Sequence, residues 1–144
     1  MTKIDSFRGN FRWLSNFWPC SVVLDGVVYP SVENAYQAAK FHSSARRVFV
    51  DVTAGQAKRL ARTMCVRNEW ESVKISVMTD LIAQKFSRGS HLAEMLLLTG
   101  FMEIVEGNTW GDHFWGVCAG RGENRLGRII MDRRDWLRSH QNDN

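Results

Sequence analysis

The chain has 144 residues, of which 44% are hydrophobic and 24% are charged, which is ordinary for one globular domain and excludes a disordered or collagen-like chain. No apolar run approaches the ~18 residues that a membrane span needs. The N-terminus lacks the apolar segment of a secretion signal, so we expect a cytoplasmic protein that makes no membrane contact.

The formal net charge is +4, and Arg outnumbers Lys by 14 to 5. This excess suits a phosphorylated ligand or a nucleic acid, but a solvated basic surface explains it equally well. The cysteines form no C-x-x-C pair and the histidines show no H-x-x-x-H spacing. We therefore expect no structural metal and no disulfide framework.

The first secondary-structure signals are a hairpin and a helix. Residues 21–29 alternate around Asp25-Gly26, a dipeptide typical of a tight hairpin turn. Pro30 and Ser31 follow, and Ser31 is a good N-cap for a helix over about 32–42.

Three more helices are predicted in the middle of the chain. Thr53 and Gln56 have capping-box spacing and open the second helix. Asn68 and Glu71 have the same spacing and open a third, which continues to about Phe86. Its apolar stripe has helical spacing and consists of Trp70, Val73, Val77 and Leu81. A short helix over about 91–99 ends before Gly100.

The C-terminal part begins with a short strand over about 102–105 and continues with a glycine-rich stretch over 107–122. A last helix begins near Asn124, and residues 139–144 form a polar tail that we expect to fray. The whole pattern predicts a mainly helical α+β fold, with a few short strands and an N-terminal hairpin, in one domain over residues 1–144.

The first helix carries two groups that suit catalysis. Four polar residues lie at positions i, i+3, i+4 and i+7 and share one face, namely Glu33, Tyr36, Gln37 and Lys40. If this face lines a pocket, its carboxylate and amine can do acid–base or covalent chemistry. Alternatively, the Glu stabilises the helix dipole and the Lys is an ordinary surface residue, and spacing alone favours this second interpretation.

The glycine-rich stretch is the second candidate. Six of the eleven glycines lie between residues 107 and 127, a density that permits close approach of backbone to a ligand. A glycine-rich loop that enters a helix N-terminus is also a natural phosphate site. Asp112 lies between two Trp residues and is either an anchored structural acid or a catalytic acid with a raised pKa.

These residues together resemble the YbiA/NADAR family. The matching blocks occur in order over nearly the whole chain and are Trp13–Phe17, Tyr29–Phe41, Asn68–Lys74 with Met78, Lys85-Phe86, Trp110–Asp112 with Trp115-Gly116, and Gly122–Gly127. Many members have His where this chain has Asn34, a difference that bears on substrate preference and leaves the Glu and Lys positions intact.

The resemblance implies a compact, mainly helical fold and an N-glycosidase that cuts a bond between ribose C1′ and nitrogen. Its two associated substrate classes are phosphoribosylamino-pyrimidines of early riboflavin synthesis and ADP-ribose attached to guanine in nucleic acid. The implied catalytic residues are Glu33 and Asp112, with Lys40 as a Schiff-base nucleophile. The implied substrate-binding residues are Asn16, Phe17, Tyr36, Gln37, Trp70, Trp110, Trp115, Gly122, Asn124 and Arg125.

Breaking a ribosyl C–N bond builds positive charge at C1′, which a carboxylate stabilises while a second acid protonates the leaving nitrogen. On this hypothesis Glu33 and Asp112 face each other across a pocket, phosphate lies near residues 122–125, and the base stacks on Trp70 or Phe114. This chemistry needs no metal or redox cofactor.

Two other functions fit the sequence. A non-catalytic ADP-ribose or nucleotide-binding module would use the same glycines and aromatics without the carboxylate–amine pair. A plain nucleic-acid binder would use five basic residues, Arg46, Arg47, Lys58, Arg59 and Arg62, the last three of which share a helix face. The sequence leaves the oligomeric state open.

Overall fold

The computed structural model describes residues 2–142. Its strands and helices are, in chain order, β1 (Lys3–Ile4), β2 (Pro19–Leu24), β3 (Val27–Ser31), α1 (Val32–Ala39), α2 (Ala54–Ala61), α3 (Trp70–Lys85), α4 (His91–Leu98), β4 (Glu103–Ile104), β5 (Gly107–Asn108), β6 (Val117–Cys118) and α5 (Arg125–Ser139). The mainly helical α+β fold with a few short strands is therefore confirmed. The predicted tail begins one residue later than expected, and its last two residues lie outside the described residues.

The chain divides into two compact units, a central unit of residues 16–85 and a terminal unit that contains the segments on either side of it. The prediction of one domain over 1–144 stays a prediction. Among residues 2–142, no helix is long and apolar enough to cross a bilayer.

The central unit begins with the predicted hairpin. β2 and β3 pair antiparallel with Leu24 opposite Val27, so the turn contains only Asp25 and Gly26. Both turn residues have positive φ, 48° and 80°, as a type I′ turn requires. The strands extend two residues beyond the prediction at each end, and a register shift lies between Pro19 and Val22.

Helix α1 is the core of the central unit. It packs against α2, α3 and both hairpin strands, and all eight of its residues are buried. Small side chains at Ala35, Ala38 and Ala39 allow this close packing. Beyond its C-terminus, the stacked rings of Phe41 and Phe49 continue the core, with centroids 5.6 Å apart.

The predicted helix starts of the central unit are confirmed with one exception. Ser31 caps α1, and Thr53 and Gln56 form the capping box of α2. The exception is the third helix, which begins at Trp70, two residues later than predicted. There the Glu71 carboxylate pairs with Lys74 at 2.6 Å, on its own helix, instead of closing a capping box.

The terminal unit is built on α4, α5 and a parallel pair of two-residue strands, β1 and β4. Gly100 follows α4 in a left-handed conformation, φ 63°, as predicted for its C-terminus. Arg134 of α5 is 4% exposed and donates to Thr99 Oγ1 and to Met102 O, both at 2.8 Å. These bonds attach α5 to the turn that leads from α4 into β4.

Glycines of the terminal unit bring the chain close to itself. A Cβ at Gly107 would collide with the carbonyl of Asp5, and one at Gly116 would collide with Glu106. A Cβ at Gly127 would collide with the carbonyl of Ile104. The interpretation of this glycine density as room for a ligand is therefore wrong at these positions, because the close neighbours belong to the protein.

Lys85 is a buried lysine at the end of α3. Its side chain is 3% exposed, and burial lowers the pKa of its amine to about 7, while the nearby Cys20 acts in the opposite direction. In the unfolded chain a lysine titrates near its ordinary pKa of ~10.4. Between these two values only the unfolded chain takes up this proton, so stability must rise with pH over this window.

We therefore predict that replacing Lys85 by Met flattens the stability–pH profile between pH 7 and 10. The wild type gains up to ~1.4 kcal/mol per pH unit from this group, and the variant loses that slope. Urea unfolding at several pH values measures it, with Lys3→Met, at an exposed position, as the control that keeps the wild-type slope. Identical slopes in wild type and Lys85→Met would contradict the effect of burial.

Candidate active site

Helix α1 begins with a network that holds Asn34 in place. Ser31 Oγ accepts from Asn34 N–H at 3.0 Å and bonds to Asn34 Oδ1 at 2.5 Å. The Asn34 amide group donates to Phe49 O and Val52 O at 2.9 and 2.8 Å. Asn34, where many family members have His, therefore ties the helix start to the segment before α2 and uses both atoms of its amide within the protein.

Glu33 lies one residue into the helix and is 7% exposed. Its backbone N–H donates to Asn16 O at 3.0 Å, and its Oε1 accepts from Gln37 Nε2 at 2.8 Å. Glu33 lies in the first turn of α1, where a carboxylate also favours the helix dipole, and its side chain is buried. The carboxylate is held in the interior by the residue one turn further along α1.

Two buried oxygens beside Glu33 have no hydrogen-bond donor among residues 2–142. They are Gln37 Oε1 and Asn16 Oδ1. The amide nitrogens of these two side chains are engaged, one with Glu33 and the other with Met78 Sδ at 3.6 Å. Acceptors left open in this way are a feature of sites that complete their hydrogen bonds with a ligand or ordered water.

Lys40 lies at the C-terminal end of α1, where the helix is closed by Arg67. The Arg67 backbone N–H donates to Lys40 O, and its Nε donates to Ala39 O, both at 2.9 Å. The N–H groups of Lys40 and Phe41 bond three residues back, which tightens the last turn. The helix therefore ends at Ala39, three residues before the predicted end, and Lys40 is its C-cap.

Burial lowers the pKa of the Lys40 amine. Glu33 counteracts this by favouring the charged form, whereas the charges of Lys58, Arg62 and Lys74 lower the pKa further. The interpretation of Lys40 as an ordinary surface lysine does not fit its partial burial and the three cations that act on its amine. A lowered pKa enlarges the fraction of neutral, nucleophilic amine at neutral pH.

Tyr36 and Trp70 form an aromatic wall near this amine. Their rings meet edge-on with centroids 5.2 Å apart, and Lys40 Nζ lies 5.3 Å from the Tyr36 centroid. The Arg67 guanidinium lies over Trp70 at 5.9 Å. Phe17, 45% exposed, adds a further aromatic ring to the central unit and lies against the first turn of α2.

Asp112 of the terminal unit organises its own loop. Its Oδ1 accepts from Phe114 N–H at 3.0 Å and Trp115 N–H at 2.9 Å. Its backbone N–H and carbonyl both bond to the side chain of Asn108. The anchored structural interpretation of this acid is thus supported by four hydrogen bonds. Among the described residues no donor binds Oδ2, so the carboxylate retains one oxygen for other partners.

The start of α5 is closed by the loop that precedes it. The backbone N–H groups of Asn124, Arg125 and Leu126 donate to the carbonyls of Gly116, Phe114 and Trp115. The Asn124 side chain accepts from Glu106 N–H and donates to Ile104 O, both at 2.9 Å. The predicted phosphate seat at this helix N-terminus is therefore wrong as a main-chain site, because these donors are already used.

The other candidates in this unit differ in exposure. Gly122 is exposed with φ 148°, and the Trp110 side chain is 56% exposed. Trp115 is half-buried and packs edge-on against Phe114. The Arg125 guanidinium lies 5.7 Å from the Phe114 ring and pairs with Glu123 at 3.1 Å.

The central unit thus brings together six of the predicted site residues, Asn16, Glu33, Tyr36, Gln37, Lys40 and Trp70. The predicted placement of Glu33 opposite Asp112 stays a prediction. Sequence reasoning missed Arg67 and Lys74 as neighbours of Lys40. Lys74 follows Trp70 by four residues, a spacing that places both on one side of α3. This spacing was the signal from which Lys74 could have been predicted. No local pattern marks Arg67, since its contacts reach 27 residues back along the chain to Lys40.

These features define a mainly helical α+β protein with a buried carboxylate and a lysine of lowered pKa on one helix. The NADAR domain family matches residues 6–138, and the chain belongs to this family. The N-glycosidase YbiA of Escherichia coli is 37% identical over 131 residues, covering 85% of this chain and 79% of that protein. An NMR structure of E. coli YbiA superposes with a TM-score of 0.83 at 31% identity, covering 99% of this chain and 87% of that one.

A second relative is the riboflavin biosynthesis protein VVA0006 of Vibrio vulnificus, 38% identical over 136 residues. The match covers 91% of this chain but only 37% of that protein's length. N-glycosidase Npun_R5314 of Nostoc punctiforme is 33% identical, with 87% of this chain and 85% of that protein covered.

We predict that Asp112→Ala and Asp112→Asn differ sharply in stability. The alanine variant loses both hydrogen bonds from Phe114 and Trp115, each worth ~1.5–3 kcal/mol when the acceptor is charged. The asparagine variant keeps an oxygen in the same place and retains most of that stability. Urea unfolding of both variants measures the difference, and equal destabilisation would show that these bonds do not hold the loop.

Proposed function

We propose that this chain, an N-glycosidase of the NADAR family, uses Glu33 and Lys40 to cleave a ribose C1′–N bond in a phosphorylated N-riboside. The observation that carries the proposal is the buried Glu33 in the first turn of α1 together with the partly buried Lys40 at its C-cap. Glu33 is 7% exposed, and its charge acts on the partly buried Lys40 amine, whose pKa burial lowers. This chain covers 79% and 85% of the length of two relatives that are named N-glycosidases, and these names support the same activity.

Glu33 is proposed to stabilise the positive charge that develops at C1′. As the C–N bond breaks, the ribose carbon takes on oxocarbenium character. A carboxylate fixed by Gln37 in a poorly hydrated site stabilises that charge without first reorganising solvent. The same carboxylate also serves as the general base that activates water.

Lys40 is proposed as the nucleophile. Its neutral amine attacks C1′ as the C1′–N bond breaks, and the leaving base carries away the electron pair and takes a proton. Opening of the sugar ring then gives an imine between Lys40 and C1′, and water hydrolyses it to release the free sugar and the amine. The lowered pKa of Lys40 supports this role, because only the neutral amine attacks.

Asp112 is proposed as the second carboxylate, which protonates the departing nitrogen. Two backbone N–H groups fix its Oδ1 and leave Oδ2 for the substrate. The leaving base is proposed to stack on Trp70 or Phe114. The remaining substrate contacts are proposed for Asn16, Phe17, Tyr36, Gln37, Trp110, Trp115, Gly122, Asn124 and Arg125.

The positive charge near Lys40 supports an anionic substrate. Residues 52–68 contain four basic residues, Lys58, Arg59, Arg62 and Arg67, and no acidic residue. Of the five residues considered for a plain nucleic-acid binder, Arg46 is engaged, since it pairs with Asp25 and donates to Phe41 O. Phosphate contacts are proposed for side chains in this basic segment and for Arg125.

Two phosphorylated substrates are proposed, with the first preferred. The riboflavin-related name of the Vibrio relative favours phosphoribosylamino-pyrimidines. The basic segment supports ADP-ribosyl-guanine in nucleic acid as the second candidate. An enzyme that cleaves this substrate reverses ADP-ribosylation. The non-catalytic binding module is not favoured, because the relatives carry the names of enzymes.

We predict that Glu33→Gln lowers kcat/KM by ~10²–10⁴-fold, the range for general acid–base groups, with a thermal midpoint near that of the wild type. The amide oxygen of the variant still accepts from Gln37, so the fold is kept. The assay measures release of ribose 5-phosphate from the pyrimidine and of ADP-ribose from a modified oligonucleotide, by mass spectrometry.

The matched control is Glu94→Gln, the same change in the first turn of α4 at an exposed position. It tests the loss of a helix-dipole carboxylate without touching the site and is expected to leave turnover unchanged. Full activity of Glu33→Gln on the preferred substrate would refute the role of Glu33.

A further inference from the structure

The two unpartnered oxygens beside Glu33 point to a particular part of the substrate. Gln37 is 4% exposed and its Oε1 has no donor among the described residues. Asn16 Oδ1 is buried without a donor as well. Both belong to residues that are hydrogen-bonded to Glu33: the Gln37 amide nitrogen donates to the Glu33 carboxylate, and the Asn16 backbone carbonyl accepts from the Glu33 backbone N–H.

The chain satisfies a buried amide fully where the amide has a structural role. Asn34, three residues from Gln37 on the same helix, engages Ser31, Phe49 and Val52 with both atoms of its amide. In the central unit the buried groups without a partner among the described residues are the hydroxyl of Tyr29 on β3 and the two amide oxygens of Gln37 and Asn16. On α1 itself, the open acceptor belongs to the residue that holds the Glu33 carboxylate.

The chemistry of these groups selects what binds there. Carbonyl-type oxygens accept hydrogen bonds, and they and the Glu33 carboxylate repel anions, which excludes phosphate. A ribose hydroxyl is a neutral donor. The carbon that carries the 2′-hydroxyl is bonded to C1′, where Glu33 is proposed to act. An acceptor on the Gln37 side chain, which is hydrogen-bonded to that carboxylate, is therefore suited to this hydroxyl.

We propose that Gln37 Oε1 and Asn16 Oδ1 accept hydrogen bonds from the neighbouring hydroxyls of the substrate's ribose and thereby select ribosides over 2-deoxyribosides. The inference rests on the proposed function, because it takes C1′ to lie at Glu33. A site that hydrogen-bonds a substrate hydroxyl discriminates against a substrate that lacks it, since the buried acceptor is then left without a donor. The selection holds for either substrate class, because both carry ribose at the cleaved bond.

The kinetic test compares one N-riboside with its 2-deoxy analogue, each corrected for its spontaneous hydrolysis. The wild type is expected to prefer the riboside by at least ~10²-fold in kcat/KM. Gln37→Met and Asn16→Leu remove the acceptors and are expected to lower this preference at least tenfold. Gln84→Met is the control, because Gln84 Oε1 already accepts from Val23 N–H in the hairpin, and it keeps the wild-type preference.

A binding test separates failure of this inference from failure of the proposed function. Calorimetry with ribose 5-phosphate and 2-deoxyribose 5-phosphate needs no turnover, and the wild type is expected to bind the first at least tenfold more tightly. Equal binding of both sugars overturns the inference. So does a result in which Gln37→Met and Asn16→Leu slow both substrates equally and keep the wild-type preference for the riboside. Selective binding without cleavage of any riboside keeps the inference and overturns the proposed enzyme.

Discussion

The complete burial of α1 is the constraint on which the candidate site depends. An eight-residue helix with no solvent face must satisfy each polar side chain inside the protein or present it to a ligand. Asn34 is satisfied by the adjacent chain, whereas Glu33 and Gln37 bond to each other and leave oxygens beside them without donors. We therefore propose the polar stripe of this helix as the wall of the candidate site.

The end of the same helix sets the properties of Lys40. Arg67 donates hydrogen bonds to the carbonyls of Ala39 and Lys40. The helix therefore ends just before Lys40, which is its C-cap. Partial burial and three neighbouring cations favour the neutral amine, and Glu33 opposes them. A carboxylate and a partly buried amine thus occur at the two ends of one short helix, which is the combination that the proposed mechanism uses.

Local signals were enough to predict the hairpin turn, the caps of α1 and α2 and the end of α4, because each depends on residues within four positions. The buried state of Glu33 was not predictable from helical spacing, since it depends on the packing of α1 against α2, α3 and the hairpin, which the local pattern does not show. Trp70 of α3, for example, meets Tyr36 on the polar face. Glycine density was misleading for the same reason. Gly116 and Gly127 are required by distant parts of the chain, which the sequence does not show to be close.

The most direct test is to trap the proposed covalent intermediate. The protein is incubated with substrate and borohydride, and peptide mass spectrometry locates any reduced sugar adduct. The account predicts an adduct on Lys40 that is absent from Lys40→Arg, and none on Lys85, the other lysine whose amine has a lowered pKa. Turnover of the substrate by Lys40→Arg at the wild-type rate, with no adduct on any lysine, would contradict it.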